Sequence, residues 1–326
     1  EKQPGFMKSQ EKVTAFRNGE IKRNRGKGNM GMDACTLCPR MCGVNRAAGE
    51  KGYCGMDATI RAARAALHMW EEPCISGTQG SGAVFFSGCS LRCIFCQNFE
   101  IAEGNCAKEI SGERLSEIFL ELQEQGAANI NLVTAAHYVP AVIESLKKAK
   151  AQGMDLPVIY NSSGYERVET VQMLEEVVDV WLPDFKYMDS KLAFAYSRAK
   201  DYPEVARAAI REMMKAAGTC AYDEDGYIQK GVIVRHLILP GHTKNSIAVL
   251  DELYGTYGDD LTISLMNQYT PLPQVRNIPD LNRRVTKREY EKVLDHALDL
   301  GITQGFFQEG GTAKESFIPL FDYEGL

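Results

Sequence analysis

The sequence predicts an α/β protein, a barrel or partial barrel of βα repeats behind a small cysteine-rich module. Three observations predict it. From about residue 83 onward, short apolar runs alternate with amphipathic helical stretches six times. The runs are apolar along both faces, the pattern of parallel strands covered by helices. No nucleotide-binding glycine fingerprint follows the first strand, which favours barrel-like closure with the chemistry at the carboxyl ends of the strands.

Composition narrows the class. The 326 residues are 44% hydrophobic and 25% charged, values of a globular chain able to bury a sizeable core. No run of eighteen apolar residues occurs, so no transmembrane helix and no membrane partner are expected. A net charge of −6 argues against a nucleic-acid binder driven by overall positive charge. Ten cysteines are too few for a disulfide scaffold, yet seven fall in two tight groups, Cys35/Cys38/Cys42/Cys54 and Cys89/Cys93/Cys96. Clustered thiols point to metal or iron–sulfur ligation before disulfides. With no charged-then-apolar signal at the start, the expected compartment is the reducing cytoplasm.

Residues 1–30 carry eight Lys or Arg against three Asp or Glu and read as a basic, solvated arm. Residues 31–75 form the cysteine-rich module, compact and built of loops. Residues 76–326 hold the barrel. Its expected strands are Ala83–Ser87, Asn129–Thr134, Pro157–Tyr160, Val178–Leu182, Val232–Leu239 and Leu261–Met266. Between them the helical stretches are Glu113–Gln125, Val139–Ala151, Val168–Val177, a long Lys191–Ala217 region, Lys244–Tyr257 and Lys287–Leu300. In the first of these, Leu115, Ile118 and Leu122 recur at helical spacing. Gly77–Gly82 and Gln308–Gly311 read as turns; neither has the Gly-Lys-Ser/Thr ending of a phosphate loop. Cys74, Cys106 and Cys220 are isolated and read as small core residues.

The most informative segment follows the first expected strand. Cys89, Cys93 and Cys96 are spaced C-x3-C-x2-C, and three thiolates on one loop suit three irons of a four-iron cluster. A structural zinc site needs four closed ligands, and no fourth Cys or His follows at a usual distance. One iron would stay open to a substrate or cofactor. The four cysteines at 35, 38, 42 and 54 suit either zinc or a second cluster, with an unmetallated packing module as the alternative.

With Phe95 just before its third cysteine, this loop resembles the radical S-adenosylmethionine (SAM) signature. Gly88-Cys89-Ser90-Leu91-Arg92-Cys93 and Cys96-Gln97-Asn98 resemble the activating enzymes of glycyl radical enzymes. With Glu71-Glu72-Pro73, Gly80-Ser81-Gly82 and Cys38-Pro39-Arg40, the likeness extends over about residues 33–325 and is nearest to the predicted pyruvate formate-lyase activating enzymes. The resemblance implies a partial (β/α)6, TIM-like barrel. It implies a [4Fe-4S] cluster on Cys89, Cys93 and Cys96, SAM at the open iron, and reductive cleavage of SAM to a 5′-deoxyadenosyl radical. That radical takes hydrogen from a substrate, such as a glycine of a partner glycyl radical enzyme. A reductant such as flavodoxin or ferredoxin and an anaerobic setting are implied with it. The alternatives are radical modification of a small molecule, RNA or another peptide. Of another class is a non-catalytic iron–sulfur or zinc interaction or electron-transfer protein, which leaves a three-cysteine set unexplained.

The resemblance also assigns site residues at the strand ends. Phe95 is implied in cofactor binding. Thr134 and His137 stand where the family has Gly-Gly-Glu holding the SAM amino group and are expected to supply that contact, with a packed helix-start residue on the barrel rim as the other reading of His137. Asn161 and Ser162 follow the third strand, as SAM contacts or as ordinary capping residues. Asp184 and Lys186 resemble an Asp-x-Lys element in which the acid helps hold a monovalent cation and the lysine meets the SAM carboxylate or the substrate. They are the expected catalytic pair. Asn161 replaces an aspartate of that cation site. Arg235 and Leu237 are expected at the adenosyl group, and Met266–Tyr269 near the substrate, with Tyr269 equally suited to packing.

Overall fold

The structure, a computed structural model, describes residues 32–303, 305–308 and 319–326. The basic arm expected over 1–30 and most of the turn expected over 308–311 lie outside the described residues. The strands are β1 (Arg61–His68), β2 (Ser81–Phe86), β3 (Lys108–Glu109), β4 (Ile130–Val133), β5 (Val158–Ser162), β6 (Val180–Pro183), β7 (Ala221–Tyr222), β8 (Ile228–Leu237), β9 (Thr262–Met266) and β10 (Gly305–Phe307). The helices are α1 (Pro73–Ser76), α2 (Phe99–Ala102), α3 (Gly112–Glu124), α4 (Val139–Ala151), α5 (Val168–Leu174), α6 (Ser190–Ser197), α7 (Tyr202–Ala217), α8 (Thr243–Tyr257) and α9 (Lys287–Asp299).

The sheet runs β10-β9-β8-β6-β5-β4-β2-β1-β3, with β7 paired to β8. From β2 to β10 the neighbours along this path are parallel. β1 is antiparallel to both β2 and β3. This is the partial (β/α)6 barrel the sequence implies, with one further parallel strand, β10, and an antiparallel margin that the sequence did not suggest. β1 belongs to this sheet, so the sheet begins before residue 76.

Burial explains the pattern. Every residue of β2, β4, β5, β6 and β9 is buried. Leu115, Ile118, Phe119 and Leu122 of α3, and Val142, Leu146 and Ala149 of α4, cover the strands from outside. The long helix expected over Lys191–Ala217 is two helices, α6 and α7. Arg198 takes a left-handed φ of 50° that ends α6, and Pro203 is tolerated only in the first turn of a new helix. Cys74 is buried as expected, whereas Cys106 and Cys220 are half-buried.

Candidate active site

Strand alternation decides which side chains enter the barrel. Ile159 of β5, Val180 and Leu182 of β6 and Ile233 of β8 form an apolar cluster with Cys74 and Ile75 of α1, which plug the interior. Two residues further along each strand the same face turns polar. Asn161 follows Ile159, Asp184 follows Leu182, and Arg235 follows Ile233. All three line a cavity of about 230 Å³ that also takes in Cys89, Cys93 and Cys96.

Arg235 organises the polar wall. Its Nη1 meets Glu71 Oε2 at 3.0 Å, its Nε donates to Asp184 Oδ1 at 3.1 Å, and its Nη2 donates to Asn161 Oδ1 at 2.6 Å. Glu71 Oε1 accepts from Asn131 at 3.1 Å and from Asn161 at 3.2 Å. Lys186 pairs with the other oxygen of Asp184. Burial works against the charge on Asp184, but Lys186 and Arg235 outweigh it and hold the carboxyl below its usual range. Burial likewise opposes the charge on Lys186, and Asp184 restores it, raising the ammonium above its usual value. The lysine therefore stays a cation at the cavity wall. The expected monovalent-cation site is changed here. The Arg235 guanidinium already donates to both Asp184 and Asn161 and supplies a fixed positive charge between them.

The cysteine loop leaves β2 through Gly88, whose φ is 92°. A Cβ there would stand 2.5 Å from Met56 Cγ, so only glycine fits. Arg92, with φ 53°, makes the turn between the first two cysteines. Hydrogen bonds reach the sulfurs: the Leu91 N–H donates to Cys89 Sγ at 3.4 Å, the Ser197 hydroxyl to Cys93 Sγ at 3.0 Å, and the Asn98 backbone N–H to Cys96. Donors aimed at sulfur favour thiolates. Burial pushes the Cys93 and Cys96 thiols up, and the Lys186 charge pulls both down. Phe95 lines the cavity and packs among Tyr187, Tyr196 and Tyr269, with ring centroids 6.2 to 6.4 Å apart.

The donor set fits a four-iron cluster. Among the described residues no fourth cysteine lines this cavity. Nor do any three Cys, His, Asp or Glu side chains among them form a group fit to hold a single metal ion. A four-iron cube takes one thiolate per iron, so its ligands stand further apart than those of one ion.

Other expected residues divide. Thr134 lines the cavity with φ 63°, a left-handed conformation that is a true outlier for a β-branched residue, and its N–H donates to Asn161 O at 2.9 Å. Ser162 also lines the cavity, and its hydroxyl accepts from the Gly164 N–H at 3.2 Å. A Cβ on Gly164 would collide with Asp184 O. His137 is not on the wall. Its ring is buried behind the loop with Nε2 2.7 Å from Ser87 O, and burial pulls its pKa down to about 3. It props the loop, so of the two readings of His137 the geometry matches packing and not ligand contact. Leu237, Met266 and Gln268 line the cavity, whereas Tyr269 is packing, its hydroxyl bonded to Leu281 O at 2.7 Å. Cys35, Cys38, Cys42 and Cys54 lie outside the cavity.

Glu71 and Asn131 were missed as site residues. The adjacent acids Glu71 and Glu72 give no signal by themselves, since a solvated pair costs little. Glu72 is buried beside the same network, where burial raises its pKa against the pull of Arg235.

No family model matches the chain. It is 29% identical over 270 residues to an uncharacterized protein of Methanocaldococcus jannaschii, covering 81% of this chain and 74% of the relative. Among solved structures it is similar to Streptococcus suis SuiB bound to the precursor peptide SuiA, at 12% identity and a TM-score of 0.45, over 69% of this chain and 47% of SuiB. It is similar also to a domain of pyruvate-formate lyase-activating enzyme from Bacteroides vulgatus, at 17% identity and a TM-score of 0.37, over 53% of this chain and 92% of that domain. The FeFe-hydrogenase maturase HydG from Carboxydothermus hydrogenoformans matches at 13% identity and a TM-score of 0.42, over 73% of this chain and 60% of HydG. The match thus spans about half the length of SuiB.

Proposed function

We propose that the chain is a radical SAM enzyme whose cluster is held by Cys89, Cys93 and Cys96. One observation carries the reading: three thiols from a single loop, with no fourth thiol among the described residues that line the cavity, share a strand-end cavity with a half-buried lysine cation. When bound, the cluster and SAM supply reductive cleavage to methionine and a 5′-deoxyadenosyl radical that takes a hydrogen atom from the substrate.

The chain's own residues bind and orient. Lys186, its charge maintained by Asp184, would receive a carboxylate such as that of SAM. Arg235 clamps Glu71, Asp184 and Asn161 into one rigid wall, so the polar groups need not reorganise when a ligand enters. Thr134 presents strained backbone and a hydroxyl at the end of β4. Phe95 and Leu237 close the apolar side and limit water around the reacting atoms. The substrate we infer is a glycine of a partner glycyl radical enzyme, with flavodoxin or ferredoxin as electron donor in the cytoplasm. Support for that part is the resemblance of Gly88–Cys93 and Cys96–Asn98 to activating enzymes.

The test is anaerobic reconstitution with iron and sulfide, reduction with SAM present, and chromatography of 5′-deoxyadenosine. Cleavage by the parent and its loss in Cys93→Ala is the expected result. A cluster-replete parent that neither cleaves SAM nor changes its electron paramagnetic resonance spectrum on SAM addition would overturn the reading.

A further inference from the structure

Cys35, Cys38, Cys42 and Cys54 take no part in the cavity, yet the chain is folded to bring them together. From residue 32 to 60 it makes turns and bends, with no helix or strand. The Cys35 N–H donates to Val44 O at 2.9 Å, the Gly43 N–H to Cys35 O at 3.0 Å, and the Met41 N–H to Cys38 O at 3.0 Å. The tight turn after Cys38 returns Cys42 to the side of Cys35. It holds Met41 at φ 40°, an uncommon conformation for a residue with a side chain. Cys54 closes the group. At Gly52 a Cβ would stand 3.0 Å from Cys42 Sγ and 3.7 Å from Cys54 Sγ, so both sulfurs face one small space that glycine leaves open. Cys38 lies within electrostatic reach of Cys35 and Cys54, and Cys54 within reach of Cys35 and Cys42. All four are free thiols, three of them buried.

We propose that these four cysteines form a second metal centre, separate from the first, with four thiolates around a thiophilic metal. Four ligands leave no open position, which makes the site structural. A segment without helix or strand gains most from such a staple. The thiols as they stand are not grouped for one ion, so a single ion would draw them inward, whereas a cluster tolerates wider spacing. The centre would hold the module against the first cysteine loop. Arg40 Nε donates to Ser90 O at 2.9 Å and Arg40 Nη2 to Ser197 O at 2.9 Å, the residue whose hydroxyl reaches Cys93. A Cβ on Gly88 would stand 3.0 Å from Cys54 O.

The experiment uses the full chain carrying Cys89→Ala, Cys93→Ala and Cys96→Ala, which removes the first centre. It is titrated anaerobically with cobalt(II) and, separately, reconstituted with iron and sulfide. One equivalent of cobalt with thiolate charge-transfer and tetrahedral ligand-field absorption supports a single-ion site of the zinc type. An iron–sulfide chromophore supports a cluster on the same thiolates. In either case the signal should disappear when Cys38→Ser and Cys54→Ser are added. No binding in either arm, or binding that survives the two serines, would overturn the proposal. Metal analysis of the chain with its first centre intact guards against misfolding of the triple variant. There Cys38→Ser with Cys54→Ser should lose one centre's worth of metal, and unchanged content would overturn the proposal equally.

Discussion

Arg235 meets three partners at once, the half-buried Glu71 and Asp184 and the buried Asn161, and its side chain is only 14% exposed. Two carboxylates this deep are stable only with a cation between them. Arg235→Met should therefore lower unfolding free energy by about 3–5 kcal/mol, the cost of leaving buried charges unpaired. Urea denaturation reads the loss. Arg235→Lys should recover part of it, because an ammonium cannot reproduce the guanidinium fork that meets Asp184 with Nε and Asn161 with Nη2. Arg235 was expected at the site only through the family resemblance, as a residue near the adenosyl group. Glu71 was not, because the chain that carries it reaches the cavity only through the β1–α1 connection, a tertiary relation with no periodic signature.

Single elements were legible where one period governs a whole segment. β2, β4, β5, β6 and β9 read correctly because continuous apolar runs admit one solution between two helical layers. α9 carries an explicit start signal: Thr286 Oγ1 accepts from the Glu289 N–H at 3.2 Å, and Glu289 Oε2 accepts from the Thr286 N–H at 2.9 Å. Thr286→Ala should cost about 1 kcal/mol, measured as a shift in denaturant midpoint with unchanged slope. The same Glu289 also takes the Gly241 N–H at 2.7 Å, so the cap ties α9 to the turn after β8. The break between α6 and α7 was marked in the sequence by Pro203, which can stand only in the first turn of a new helix, whereas the left-handed turn at Arg198 that ends α6 had no signal there. β1 was hidden for a different reason: four alanines in eight residues carry little strand propensity, and its pairing with β2 is settled only by the fold.

Across the whole molecule the cysteine module and the barrel are joined by buried polar contacts. Arg46, 1% exposed, donates to the carbonyls of Asp57 and His137, linking the module to the segment after β4. His137 in turn meets Ser87 O at the root of the first cysteine loop. Arg46→Met would strand both carbonyls and cost about 2 kcal/mol or more. Limited proteolysis should then cut within residues 32–57 before the barrel is attacked, while equal protection in parent and variant would refute this linkage.

By itself the sequence determined the class of architecture, the C-x3-C-x2-C loop, and the polar groups that close β5 and follow β6. These follow from local spacing and from the two-residue period of a strand, which any fold must respect. Only the tertiary structure decided the rest. It brought Glu71 to Arg235, turned His137 behind the loop instead of into the cavity, and drew Cys54 to the three cysteines twelve or more residues before it. Those relations depend on which buried charges and sulfurs find one another across the barrel. That is a matter of distance in space, on which chain spacing is silent.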